Sequence, residues 1–251
     1  MSYETDKQAY DRDGFLVVRA FLVGDELDTL QRELERYIRD VVPGLPDADA
    51  FYQDKSRPET LKQMQHMDCD SFFAEYTEHS QWKSLAEALI GEEAHCEGQE
   101  WFNKPPNTEH PTPPHQDNYY CNLVPPNVAT LWLALDEVGE ENGALRYVRG
   151  SHLRGRRPHA RNNVLGFSQG ITDYGPEDEA REFKALMKSG DVVAHHGWTI
   201  HRADPNQTTD RQRRSFAMVF RGASCQVDSE GLQRYEQDRA TQHQAMGLKT
   251  E

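Results

Sequence analysis

The tripeptide His115-Gln116-Asp117 carries the strongest chemical signal in the chain. On a strand, side chains two apart point to the same face with Cα atoms about 6–7 Å apart, so one metal can sit between them. A nitrogen donor beside a hard carboxylate suits iron(II) or manganese, and two histidines with one carboxylate on one face leave three coordination positions open for oxygen chemistry. His-x-Asp alone arises often by chance, so a third ligand is needed. The segment Gly190-Asp191-Val192-Val193-Ala194-His195-His196-Gly197-Trp198-Thr199-Ile200-His201 is the other histidine cluster flanked by strand signals. Spacing alone leaves His195, His196 and His201 open as that ligand, because Gly197 signals a bulge or turn. The bland reading of His195 and His196 is that they pack in the core or support the metal from behind.

Downstream runs Arg211-Gln212-Arg213-Arg214-Ser215-Phe216-Ala217-Met218. An oxo-acid cosubstrate such as 2-oxoglutarate needs a fixed cation for its distal carboxylate, and the planar fork of arginine binds carboxylate through two parallel hydrogen bonds. Alternation places Arg214, Phe216, Met218 and Phe220 on one face, and Arg213, Ser215 and Ala217 on the other, smaller one. Arg213 is therefore preferred as the clamp over Arg211 and Arg214, which stay open as alternatives; the bland reading, which holds for one or two of the three, is a solvated charge run at a strand entrance.

These residues need elements to position them. Leu27, Leu30, Leu34 and Ile38 recur at helical spacing over Asp25 to Tyr37, with Asp25 as N-cap. Trp82, Leu85, Ala86, Leu89 and Ile90 form a second stripe closed by Gly91. Both stripes read as core. From about Cys96, short apolar runs alternate with turns: Leu131–Leu135, Ala144–Val148, Asp191–His195 and Ser215–Phe220 read as strands, with Glu141-Asn142-Gly143 a turn between two of them. Glu177 to Met187, led in by Pro176, reads as a further helix. The expected fold is mainly β with flanking helices (α+β): one domain over 1–251, helical to about 95, a jelly-roll core over about 96–225, then a C-terminal tail.

Apolar residues make up 36% of the 251 and the formal net charge is -14, an ordinary globular composition with too little basic surface for general binding to nucleic acid or anionic membranes. No run approaches the ~18 apolar residues of a membrane span. The opening Met1–Asp6 carries no apolar signal core, and the closing Leu248–Glu251 is no peroxisomal address. Cys69, Cys96, Cys121 and Cys225 show no close pairing, and reduced thiols fit a cytoplasmic protein.

Further motifs fall in order along the chain. They are Tyr10-Asp11-Arg12-Asp13-Gly14-Phe15-Leu16-Val17-Val18, then Asn103-Lys104-Pro105-Pro106 before His115-Gln116-Asp117, then Trp132-Leu133-Ala134-Leu135-Asp136. Glu141-Asn142-Gly143-Ala144-Leu145, Gly150-Ser151-His152, and Gly190-Asp191 leading to His201 and Pro205-Asn206 follow. In these motifs and their order the chain resembles the phytanoyl-CoA dioxygenase family of iron(II)/2-oxoglutarate oxygenases over nearly its whole length. The resemblance implies a double-stranded β-helix, a cupin-like jelly roll with helices packed on one side. It implies His115, Asp117 and His201 as iron ligands and Trp132 as a residue beside the cosubstrate. It places the 2-oxoglutarate arginine on Arg213 if one extra residue sits in the loop Gln207-Thr208-Thr209-Asp210; otherwise Gln212 would occupy the position and could not serve. Lys104 matches a recurrent lysine without an assigned role. Two departures are Ala203, where many members have serine, and Arg149, where many have proline. Asp117 is retained where halogenating relatives carry a small residue, which favours hydroxylation.

The implied chemistry uses iron(II), 2-oxoglutarate and O2 to oxidise an unactivated C–H bond, releasing succinate and CO2; desaturation, ring formation and epimerisation begin the same way. The substrate is expected to be a small molecule. The basic loop Arg154-Gly155-Arg156-Arg157-Pro158-His159-Ala160-Arg161 fits an anionic one, such as a carboxylate, phosphonate or acyl thioester, or else is a solvated surface loop. Two readings compete: a non-redox metal-binding jelly-roll enzyme (isomerase or hydrolase), which needs no Arg213, and a catalytically inactive binding protein, which needs no complete ligand set. Oligomeric state is not legible.

Overall fold

A computed structural model describes residues 3–108, 111–164 and 167–245. Its larger sheet has seven strands in the spatial order Phe15–Val18, Val192–His196, Val128–Ala134, Arg213–Gly222, Ala94–Lys104, Leu61–Met64 and Ala50–Tyr52. A second sheet runs Glu182–Ala185, Leu145–Val148, His201–Ala203 and Thr112–His115. Neighbouring strands pair antiparallel in both. The two sheets form the jelly roll that the strand texture implies.

The strand 128–134 shows how sequence selects the layers. Every residue in it is buried, because both faces are covered. Leu131 and Leu133 point outward to the helices with Phe216, Met218 and Phe220 from the neighbouring strand. Trp132 and Ala134 point inward with Ala217, Tyr147, Leu145 and Ala203 of the two sheets. The helix Asp25–Asp40 contributes Leu30, Leu34 and Tyr37 to the outer layer, and the helix Ser80–Ile90 contributes Trp82, Leu85, Ala86 and Leu89. Trp82 meets Phe216 edge-on, with ring centroids 5.8 Å apart. The expected stripes are thus core, and Gly91 ends the second helix at φ 89°. Asp25 does not cap its helix: the N-cap is Gly24, and Asp25, Glu26 and Asp28 instead lie in the first turn, where their charge meets the helix dipole.

One expected element is overturned. Helix in the Glu177–Met187 region is confined to Pro176–Glu179, and Glu182–Ala185 is an edge strand paired with Leu145–Val148. Burial follows a two-residue period there, with Ala185 and Met187 in the inter-sheet core and Phe183 against Phe15 at 5.2 Å. Glu182 is held by Arg146 and Arg202.

The segment expected as a tail contains the helix Ser229–Ala245. It lies against the antiparallel pair His159–Val164 and Phe167–Ile171, through Asp238 to Arg161 (2.9 Å) and Gln169 (3.2 Å) and through Gln242 to the Asn162 carbonyl (2.7 Å). Among the described residues, no helix is long and apolar enough to cross a membrane.

Candidate metal and cosubstrate site

The cavity between the sheets offers about 200 Å³ to the centre of a water-sized sphere, and His115, Asp117, His201, Trp132 and Arg213 all line it. His115 is the last residue of its strand, and His201, the first of the next, stands directly opposite it in register. Their ring centroids are 4.1 Å apart. Asp117 does not share a regular strand with His115: the backbone turns into the short helix Asn118–Cys121, and Asp117 occupies its N-cap with φ -61° and ψ -38°. The turn is fixed by buried Gln116, whose amide donates to the Gly155 and Trp198 carbonyls (2.9 and 2.8 Å) and whose oxygen accepts from Arg157 N–H (2.8 Å).

The ligand-capable atoms of His115, Asp117 and His201 lie within 4.8 Å of one another. Asp117 Oδ1 is 3.6 Å from His115 Nε2 and 3.4 Å from His201 Nε2. Bonds of ~2.1 Å at right angles would need separations of about 3 Å, so a small inward adjustment closes the set on a first-row metal. Each imidazole has its Nδ1 against a backbone carbonyl, Pro113 O at 2.8 Å for His115 and Thr199 O at 3.1 Å for His201. Nδ1–H donating there leaves the Nε2 lone pair free for a metal. Burial lowers the pKa of both rings and keeps them neutral, the form that binds metal. For Asp117, burial acts upward, but the fields of His201 and His195, the His195 hydrogen bond and the field of His115 hold the carboxyl well below its usual range.

Asp117 uses its two oxygens differently. Oδ2 accepts from Thr130 Oγ1 (2.6 Å) and lies 2.8 Å from His195 Nε2, while Oδ1 faces the two histidines. His195 Nδ1 is in turn 3.3 Å from the Tyr147 hydroxyl. The three histidines of the downstream cluster are thereby sorted. His201 faces His115, His195 stands behind the carboxylate, and His196 points away, its Nδ1 accepting from Trp198 N–H at 3.0 Å. Gly197 permits this chain reversal: a Cβ there would lie 3.0 Å from the Cβ atoms of both Asn118 and Val128.

The arginines are sorted as alternation requires. Arg214 makes a bidentate pair with Asp136, and Arg211 pairs with Glu141 at the surface. Arg213 turns inward, 4% exposed, with its guanidinium 5.2 Å from the Trp132 ring centroid and its Nε without a hydrogen-bond partner. Burial, partly opposed by the fields of Tyr147 and Asp136, pushes its pKa down to about 10, so it remains a cation at neutral pH. Directly opposite Arg213 in register is Lys104, also buried on the cavity wall. Burial and then the charge of Arg213 push the Lys104 pKa well down, which leaves Arg213 as the cation of the pair and an anion as its complement. Asn206 ties both strands here, its amide donating to the Lys104 and Arg211 carbonyls at 2.8 and 2.7 Å. The buried, orphaned guanidinium nitrogen and the neutral imidazoles beside an ionised carboxylate fit a divalent metal with a dicarboxylate cosubstrate.

The basic loop does not line this cavity. Arg154 and Arg157 are held by Asp178, Arg157 also by Asp173, Arg161 by Asp238, and the Arg156 guanidinium sits 4.4 Å from the Tyr119 ring centroid. The anionic-substrate expectation finds less support there, because three of the four arginines of the loop are already paired with carboxylates. Sequence reading missed Thr130, Tyr147 and Gln116; of these, Thr130 left a trace as the polar residue inside an apolar strand.

The sequence model of the family described as Phytanoyl-CoA dioxygenase (PhyH) matches residues 10–215. The peroxisomal phytanoyl-CoA dioxygenase of Mus musculus is 26% identical over 240 residues, covering 90% of this chain and 70% of its own length. Among solved structures, EvdO2 from Micromonospora carbonacea var. aurantiaca, complexed with 2-oxoglutarate, is 25% identical with a TM-score of 0.68, covering 88% of this chain and 91% of its own. The epimerase SnoN in complex with Fe3+, alpha ketoglutarate and nogalamycin RO is 21% identical with a TM-score of 0.72, covering 92% and 88%.

Proposed function

The chain belongs to the phytanoyl-CoA dioxygenase family, and on that premise we propose that it is a non-haem iron(II)- and 2-oxoglutarate-dependent dioxygenase hydroxylating an unactivated C–H bond of a small molecule. The observation that carries the reading is the pairing of two environments in one cavity: a neutral-histidine and carboxylate triad at one place, and the buried guanidinium of Arg213, with Lys104 opposite it in register, at another.

Iron(II) with 2-oxoglutarate and O2 supplies the oxidising chemistry and releases succinate and CO2. His115, Asp117 and His201 would hold the metal through Nε2, Oδ1 and Nε2, the atoms that they turn toward one another. Thr130 and His195 keep Asp117 Oδ2 engaged, which fixes the rotation of the carboxylate and directs Oδ1 to the metal. Arg213, with Lys104 beside it, takes the distal carboxylate of 2-oxoglutarate. Trp132 packs against the guanidinium and keeps water from it, which strengthens the pairing. Tyr147, whose phenol is held neutral by burial, donates to His195 Nδ1 and so keeps the proton on His195 Nε2, facing Asp117. Asp117 fills the position that would have to be small for a halide to bind the metal, which supports oxidation without halogenation.

The test is product analysis with purified, iron-loaded protein. Hydroxylation predicts one succinate released per product molecule, with one oxygen atom from O2 retained in the product. Loss of two hydrogens, or a change of configuration without added oxygen, would replace hydroxylation with desaturation or epimerisation on the same site.

A further inference from the structure

Glu100 is a cavity carboxylate that the proposed reaction does not use. It lies on the strand Ala94–Lys104, where Glu100, Phe102 and Lys104 all line the cavity. Four residues of strand, about 13 Å, separate Glu100 from Lys104, which stands opposite the Arg213 cation, so the cavity is acidic at one end and basic at the other. Glu100 also pairs with Ala217, whose other neighbour is Trp132, placing Glu100 two strands, or about 10 Å, from the tryptophan beside Arg213. The basic end is occupied by the dicarboxylate in the reading above. The acidic end faces the remaining space, walled by Gln63, Gln65, Tyr120, Val219 and Tyr235.

An ionised carboxylate only accepts hydrogen bonds and has room for about four. The hydrogen bond of the Glu100 side chain is from Gln63 Nε2 at 3.1 Å, a neutral donor, and no ion pair joins it to a cation of the described residues. Lys62 lines the same cavity, and among the described residues no ion pair joins it to Glu100. Burial, and after it the charge of Asp117, pushes the Glu100 pKa up to about 7, as befits a carboxylate short of counter-charge. Glu100 is half-buried on the cavity wall, and holding a carboxylate there without counter-charge has a cost that a cationic ligand would offset.

We propose that Glu100 anchors a cationic nitrogen, a protonated amine of the substrate, and so selects amine-bearing small molecules for oxidation at the metal. The proposal rests on the oxygenase reading of the same cavity. The amine N–H donors fill the acceptor sites that Gln63 leaves open, while the hydrocarbon of the substrate lies along Phe102 and Val219 toward His115, Asp117 and His201.

The test uses protein carrying 2-oxoglutarate and Mn(II) in place of iron, and three probes of similar size: n-butylammonium, 1-butanol and butanoate. Binding is read from paramagnetic broadening of the probe protons by Mn(II). A parallel anaerobic iron(II) sample reports, by its visible charge-transfer band, whether metal and 2-oxoglutarate are in place. The expected result is n-butylammonium binding about tenfold or more tighter than 1-butanol, with butanoate weakest, and a loss of about tenfold for n-butylammonium in Glu100→Gln. Equal binding of the three probes, a preference for butanol or butanoate, or unchanged n-butylammonium binding in a Glu100→Gln protein that shows the band would overturn the amine assignment alone. Absence of the band in the wild type would overturn the oxygenase reading and this proposal with it. If Glu100→Gln does not fold, the ranking of the three probes on the wild type decides.

Discussion

Arg213 and Lys104 face each other across two hydrogen-bonded strands, both buried, and the arginine has no carboxylate partner among the described residues. Burial and the charge of Arg213 push the Lys104 pKa well down, so Arg213 is the cation of the pair, and its orphaned Nε makes this end of the cavity a receptor for an anion.

The first prediction concerns that pair. Arg213→Ala should weaken 2-oxoglutarate binding by roughly 2 kcal/mol or more, about 30-fold in Kd, because a bidentate charge-assisted contact is lost. Arg213→Lys should recover part of this, keeping the charge but not the fork. Titration calorimetry with 2-oxoglutarate on the metal-loaded protein measures both. Equal affinity in wild type and Arg213→Ala would remove the clamp from Arg213.

Thr130 tests the support of the metal from behind. Thr130→Val keeps the shape of the side chain and removes the hydroxyl that donates to Asp117 Oδ2 at 2.6 Å. Loss of such a partner costs on the order of 10- to 100-fold in metal affinity. Competition with a metal-sensitive dye reads the change. An unaltered iron(II) affinity would show that His195 alone suffices to orient the carboxylate.

Acid should destabilise the metal-free protein in a defined window. Burial, with the fields of His152 and His195, lowers His196 to about 4, and burial lowers His159 to about 4, against ~6.5 in the unfolded chain. The unfolded chain therefore takes up these protons first as pH falls, so the stability contributed by the neutral rings is complete above about 6.5 and is lost on going down to about 4. Tm measured across this range should fall, and His196→Gln should make the slope shallower. A slope unchanged by that substitution would place the acid sensitivity elsewhere.

Packing of the helices on the sheet rests on Trp82, which is fully buried and meets Phe216 and Phe21 edge-on. Trp82→Ala should cost about 3–5 kcal/mol in urea unfolding. A loss below about 1 kcal/mol would mean that the helical layer contributes little to the stability of the jelly roll.

Which of these features are legible in the sequence follows from how locally each is determined. Strand alternation suffices to separate Arg213 from Arg214, because a period of two decides which face a side chain takes whatever its neighbours are. The apolar stripes of 25–40 and 80–90 are legible for the same reason at helical period. His201 is not resolved by spacing, since Gly197 breaks the strand and the choice among three histidines depends on a turn; only the resemblance to the family singles it out. Asp117 reaches the right face by entering a helical turn rather than by strand alternation, a route no periodicity reveals. The segment 182–185 reads as helix because Pro176 and its acidic neighbours do begin one, and the return to a two-residue period comes too soon after it to stand out. Thr130, Tyr147 and Glu100 act through partners far away in the chain, so their roles emerge only when the sheets are assembled.

The most direct test of the central claim is an anaerobic titration of the iron(II) protein with 2-oxoglutarate, followed through the weak visible charge-transfer band of the chelate, with His201→Ala and Arg213→Ala alongside. The account predicts a band in the wild type, none in His201→Ala, and a band in Arg213→Ala that needs far more 2-oxoglutarate to develop. Iron bound without any band in the wild type would contradict it and leave a metal-binding jelly roll without oxygenase chemistry.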